Sequence, residues 1–199
     1  MTGPVVMLVT GVSCTGKSTL SRYLTAVGER AISLDANADL CRWVDGHGEP
    51  VDRPPQPSLY WLRRHQWCWD ADVLDTLIAA ERRSRHARVF LCGSAANQYD
   101  LLDRFDVAVM LDIPAPVMLS RLTSPGRGND FGRVGASAQA LIERYATDRA
   151  RMAAAIAYAI DATQPLIVVA NTVLGIAAIA RQGELTMCQQ PSADPGGQA

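Results

Sequence analysis

Residues 11–18 read Gly-Val-Ser-Cys-Thr-Gly-Lys-Ser, a G-x-x-x-x-G-K-S octapeptide, and few eight-residue stretches restrict a fold so strongly. The glycines let the backbone curl until successive N–H groups point at one anion, and a helix starting at the lysine adds its N-terminal dipole. That geometry needs a buried strand before the loop and a helix after it. Val5–Thr10 is an uncharged, β-branched run of the kind buried in a parallel sheet, and Lys17–Ala26 reads as a helix ended near Gly28. The octapeptide is therefore read as a phosphate-binding loop. Gly11, Ser13, Cys14, Thr15, Gly16, Lys17 and Ser18 within it, and Thr19 just after it, contact nucleotide; Lys17 reaches the β- and γ-phosphates, and the Ser18 hydroxyl serves Mg²⁺.

The rest of the chain agrees with an α/β fold. Strands are expected at Ala31–Leu34, Val89–Cys92, Val107–Ile113 and Ala157–Ile160. Helices are expected over Ser58–Arg85, from Pro114 to Leu122, over Ser137–Ala155, and from Pro165 with Thr163 as its cap; 36–57 reads as irregular. Leu166–Val169 has the composition of a strand too, but the helical spacing of Leu166, Val169, Val173 and Leu174 favours the helix. Alternating strands and helices imply a three-layer fold, a mostly parallel sheet with helices on both faces. Ligands then bind beyond the carboxyl ends of the strands. One domain is expected over 1–188, with residues 189–199 a disordered tail.

Composition removes several classes. With 19 Lys+Arg against 20 Asp+Glu no basic stripe is advertised, so no nucleic-acid partner is expected. No apolar run reaches the length of a membrane span, so no membrane partner is expected either. The five cysteines are scattered and odd in number, which fits reduced thiols in a cytoplasmic protein, monomeric or homodimeric. The Asp35-x-Asn37-x-Asp39 spacing lacks the glycine and distal glutamate of a calcium loop, and calcium is rejected.

Asp35 closes the second strand, facing the γ-phosphate, and is read as general base or indirect Mg²⁺ ligand, with a turn-capping aspartate as the plainer alternative. Asp39 is a weaker second candidate. Trp61, His65 and Trp69 fall at i, i+4, i+8, so they form either a stacking surface for a planar acceptor or simple core. Gly93, Ser94 and Asn97 follow the third strand and are expected to line an acceptor cleft, Asn97 alternatively capping a helix. Arg127 and Arg133, with Arg121 behind them, suit the charge that develops on a transferred phosphoryl group, or are solvated loop charges.

The loop Gly11–Ser18, Asp35 after Ile32-Ser33-Leu34, the run Val109–Pro114 leading to Arg121 and Arg127, and Asp161–Leu166 resemble the nucleoside monophosphate kinase and shikimate kinase group. Asp39–Asp45 and Cys92–Gln98 match neither in detail, as in a less characterised, AAA-family ATP-binding branch of that group. The resemblance implies five parallel strands in the order 2-3-1-4-5, a substrate-binding insertion at 36–85, a lid at 123–135, and Thr163 and Pro165 under the adenine. It also implies ATP and Mg²⁺ as cofactors and phosphoryl transfer to a small-molecule acceptor, a nucleoside, nucleotide or shikimate-like metabolite. The third strand ends at Cys92-Gly93 without the acidic residue many relatives carry there, which leaves the metal to Asp35 or Asp112. The same absence supports a rival reading, a nucleotide-dependent switch without a small-molecule acceptor.

Overall fold

A computed structural model describes residues 3–124 and 131–183. Five parallel strands form the central sheet: β1 (Val5–Thr10), β2 (Arg30–Ser33), β6 (Arg88–Cys92), β7 (Val107–Asp112) and β8 (Tyr158–Asp161), in the spatial order β2-β6-β1-β7-β8. The chain numbers differ from the expected 2-3-1-4-5 because three further strands intervene; among the parallel strands alone the order is second, third, first, fourth, fifth.

Every residue of β1 is buried, which explains its uninterrupted apolar sequence. Successive side chains point to opposite faces. Met7 and Val9 join Leu20, Leu24, Phe90, Leu111 and Val173 on one side, under α1 (Lys17–Ala26) and α6 (Leu166–Arg181). Val6 and Leu8 join Leu74, Ile78, Leu91, Met110 and Met152 on the other, under α3 (Ala71–Arg82) and α5 (Gly135–Ala155). Each such buried side chain contributes about 1.5–3 kcal/mol, so the strand that carries the phosphate loop is held from both faces.

The insertion departs from expectation. Residues 36–57 are not wholly irregular, and 58–85 is not one helix. Instead β3 (Cys41–Val44) pairs antiparallel with β4 (Pro50–Val51) and with β5 (Gln66–Trp69), making a separate three-stranded sheet. The β3–β4 turn is built on Asp45, whose carboxylate accepts the His47 and Glu49 amides at 2.8 and 3.0 Å. A short helix α2 (Leu59–Arg64) is capped by the Ser58 hydroxyl, which accepts from Trp61 N at 3.1 Å. The chain then turns extended at His65, and Asp70 caps α3 by accepting from Val73 N at 3.0 Å. Gln66-Trp67-Cys68-Trp69 is strand because β3 offers its backbone a partner, a long-range pairing that helical spacing does not register. The last strand and the helix after it lie where the spacing placed them, but Thr163 does not cap α6. Its hydroxyl donates to Asp161 at 2.6 Å, and Pro165 occupies the cap position.

Near the chain's middle, α4 (Ala115–Leu122) follows Pro114, and residues 125–130 lie outside the described residues, as do 184–199. No helix among the described residues is long and apolar enough to cross a membrane.

Candidate active site

The phosphate loop occupies the carboxyl end of β1 and curls into α1. Its backbone has left-handed or otherwise glycine-type torsions at Gly11 (φ +151°), Cys14 (φ +69°) and Gly16 (φ +99°). At Gly11 a Cβ would stand 2.5 Å from the Leu111 carbonyl oxygen and 2.8 Å from Thr15 Oγ1, so the loop packs against β7 only because that side chain is missing. Cys14 is the one non-glycine residue with positive φ among the described residues. The loop's curl imposes this on a side chain that disfavours it. Thr15 closes the curl with its hydroxyl on the Val12 carbonyl at 3.0 Å. Lys17 is buried, and its ammonium donates to the carbonyls of Gly11 at 2.7 Å and Val12 at 3.1 Å. Ser18 and Thr19 are exposed on the open side.

The loop borders a cleft of about 850 Å³. Ser13–Arg22 form one wall; Ser33, Asp35 and Ala36 close one end, and Leu111, Arg121, Ser124, Ala162, Gln164, Leu166 and Val169 line the other. Arg121 ties the two walls together by donating to the Cys14 carbonyl at 3.2 Å and the Ala162 carbonyl at 2.8 Å. The 162–164 turn is itself organised by Asp161, which accepts from Thr163 N at 2.9 Å, its hydroxyl at 2.6 Å and Gln164 Nε2 at 2.9 Å. Those donors, Gln164 first, hold the Asp161 carboxyl below its ordinary value.

Asp35 follows β2 in a 3₁₀ turn (Leu34–Ala36). Much of the residue faces the open cleft, while packed protein crowds its carboxyl from behind. That crowding raises its pKa above the ordinary value, opposed by the Lys17 charge and by the Ser94 amide, which donates to Asp35 Oδ1 at 3.3 Å. An ionisable carboxylate and the loop lysine thus share one cleft.

Other expected site residues are scattered. Asp39 is exposed, its amide donating to Asn37 Oδ1 at 3.1 Å. Trp61 and His65 do stack, with ring centroids 4.1 Å apart and planes 12° apart, but Trp69 has left that face for β5. Trp43, from β3, lies against Trp61, Trp67 and Phe131 instead. Gly93 and Ser94 stand beside Asp35. The Asn97 side chain brackets the Trp69 backbone, accepting from its N–H at 3.0 Å and donating to its carbonyl at 2.8 Å. Arg133 sits half-buried just before α5, Thr163 and Pro165 flank Gln164 at the cleft's far end, and Arg127 lies outside the described residues. Asp112 is engaged elsewhere: Arg149 of α5 grips both its oxygens, at 2.7 and 2.5 Å.

Sequence reasoning missed Gln98, which is fully buried and accepts the Thr10 hydroxyl at 2.7 Å. It joins the residue before the loop to the turn after β6. Nothing in its sequence neighbourhood marks it. Gln164, Leu166 and Ser124 line the cleft without having been marked as site residues, although Gln164 and Leu166 stand within the Asp161–Leu166 segment.

No family model matches the chain, and no curated protein does. Solved structures do. Over 93% of this chain and 97% of the other, it superposes on shikimate kinase from Acinetobacter baumannii in complex with shikimate, at TM-score 0.53 and 19% identity. A gluconokinase from Sinorhizobium meliloti 1021 matches at TM-score 0.51 and 19% identity, covering 92% of this chain and 97% of that one. A sugar kinase from Janibacter sp. HTCC2649 matches at TM-score 0.52 and 19% identity, covering 92% and 99%. The chain therefore has the fold of the P-loop small-molecule kinases.

Proposed function

We propose that this protein transfers the γ-phosphoryl group of ATP to a hydroxyl of a small-molecule acceptor. The observation that carries the reading is the meeting of Asp35 with the phosphate loop. A carboxylate able to accept a proton stands at the end of the cleft, within the electrostatic reach of Lys17. A nucleotide-holding switch has no need of a base at that point; an enzyme that must deprotonate an acceptor hydroxyl does.

In this reading the loop amides and the N-terminus of α1 hold the β- and γ-phosphates. Lys17 exchanges the Gly11 and Val12 carbonyls for phosphate oxygens and follows the charge as it moves toward the leaving group. Ser18 and Asp35, a hydroxyl and a carboxylate lining the same cleft, form a donor set suited to Mg²⁺, which keeps few protein ligands when phosphates supply the rest. Held there, the ion would supply neutralisation of the charge on the phosphates. Asp112 is set aside as a metal residue because Arg149 holds both of its oxygens. Asp35 takes the proton of the attacking hydroxyl. Arg121 fixes the loop against the 162–164 turn, where the adenine is read, and Arg133 serves the acceptor. The acceptor is a metabolite of the nucleoside, nucleotide or shikimate-like kind. The similar folds that act on shikimate and on gluconate support a polyhydroxylated ring or chain.

The test is a product screen. The purified protein with ATP and Mg²⁺ is offered nucleosides, nucleotides, shikimate, gluconate and other sugars, with ADP and phosphorylated products read by mass spectrometry. A phosphorylated acceptor that disappears in Asp35→Asn is the expected result. Slow ADP release with every acceptor left untouched would overturn the proposal in favour of the switch.

A further inference from the structure

The third parallel strand is followed at once by a residue with no side chain, and the surrounding geometry gives that absence a use. Gly93 is buried, and a Cβ built on it would stand 2.8 Å from Leu34 Cβ, 3.1 Å from Asp35 Oδ1 and 3.1 Å from Trp69 Cζ2. Two separate pieces of chain, the turn after β2 and the strand β5, converge on one bare Cα just past β6. We propose that Gly93 and Trp69 are positioning residues for Asp35: the empty side-chain position is the space into which the carboxylate and the indole edge close. The proposal rests on the phosphotransferase reading for its meaning, though not for its measurement.

Two of the three neighbours have little freedom to retreat, which leaves the Asp35 carboxylate, open to the cleft, as the one an added methyl would move. Leu34 is fully buried, and Trp69 is 2% exposed. Asn97 clamps the Trp69 backbone through both its N–H and its carbonyl, and the Ala96 amide donates to the Trp67 carbonyl at 2.8 Å, so β5 is fastened to the turn that follows Gly93. From the other side the Cys41 thiol, in β3, donates to the Leu34 carbonyl at 3.2 Å. The Ser94 amide, one residue past Gly93, then supplies the hydrogen bond that aims Oδ1. A reacting group supported on strands and packed neighbours is held more closely than one on a free loop. It follows that any side chain at 93, an acid's included, crowds Leu34 and Trp69 and presses on the present location of Asp35.

Gly93→Ala forces the displacement directly. Full-length wild type and variant are compared by the ¹H–¹⁵N spectrum, by affinity for a non-hydrolysable ATP analogue, and by kcat and KM on the acceptor found in the product screen. The expected result is analogue affinity within about twofold, a changed chemical shift of the Ser94 amide proton, and a kcat lowered roughly 10²-fold, the scale of a misplaced reacting group. An unmoved Ser94 amide with unchanged kcat overturns the proposal, as does a kcat loss matched by an equal loss of nucleotide affinity. Should Gly93→Ala fail to fold, Trp69→Phe removes the indole edge without adding volume. It is expected to shift the same amide and to lower kcat, and an unchanged amide there is equally fatal. Should the wild type phosphorylate nothing, the phosphotransferase reading falls alone, and the Ser94 amide still decides whether Gly93 and Trp69 place Asp35.

Discussion

Gly11→Ala asks whether the phosphate loop depends on its first glycine for space as well as for torsion. The added methyl would lie 2.5 Å from the Leu111 carbonyl oxygen and 2.8 Å from Thr15 Oγ1, both inside the 3.0 Å that Cβ atoms keep. The first of these partners is backbone of a buried central strand, which cannot rotate away. Two costs follow. Holding alanine at the φ of +151° that the loop requires costs about 1–3 kcal/mol, and pressing a methyl into a packed site about 1–3 kcal/mol more. The sum, roughly 2–6 kcal/mol, lowers Tm by roughly 5–20 °C in a chain of this size. Relief of the clash also moves the loop amides, so nucleotide affinity falls with stability. Thermal melts with and without an ATP analogue measure both at once. At a hundredfold excess over Kd the analogue stabilises wild type by about 2.7 kcal/mol. The variant should melt lower and gain little from the ligand. If Gly11→Ala melts within a degree or two of wild type and keeps the full ligand-induced rise, the close packing of Gly11 on β7 is wrong.

Lys17→Ala should abolish measurable affinity for the ATP analogue in a titration while the protein stays folded, and retained affinity would sink the loop assignment. Asp35→Asn should slow phosphoryl transfer by about 10²-fold with ATP binding nearly intact, as expected for loss of a general base. Burial raises the Asp35 pKa, so its contribution to stability is present below its ordinary 3.8 and is lost as pH rises through the raised, folded value. Asp35→Asn should therefore melt higher than wild type at neutral pH, and the difference should vanish below that ordinary value; a lower melting point at neutral pH would refute the sign. In the same way, the acid limb of wild-type activity should lie at higher pH than for an unperturbed carboxylate. Asp112→Asn should leave the Mg²⁺ dependence of turnover unchanged and lower stability by about 1 kcal/mol or less, since the Arg149 side chain left behind is exposed and water can take the partner's place. A shifted Mg²⁺ requirement would return Asp112 to the metal site.

The limits of the sequence show best where two readings of one segment competed. For 158–181 local spacing was enough, because both the strand and the helix after it are set by short-range periodicity around Asp161 and Pro165. For 41–69 it was not. Trp61, His65 and Trp69 have helical spacing, yet Trp69 belongs to a strand whose partner, Cys41, lies far back in the chain. An antiparallel pairing at that separation leaves no periodic trace when both strands are only four residues long.

By itself the sequence determined the phosphate loop, the buried strand beneath it, the parallel sheet and the candidacy of Asp35. Each of these rests on local chemistry, such as glycine torsion, unbroken apolar runs, or an acid at a strand end. Only the tertiary structure decided what surrounds them. It paired Asp112 with Arg149, turned Asn97 into a clamp on Trp69, linked Gln98 to Thr10, and closed Leu34, Asp35 and Trp69 around the bare Cα of Gly93. These are contacts between residues distant in sequence, and the volume they share exists only once the sheet and its insertion have packed together.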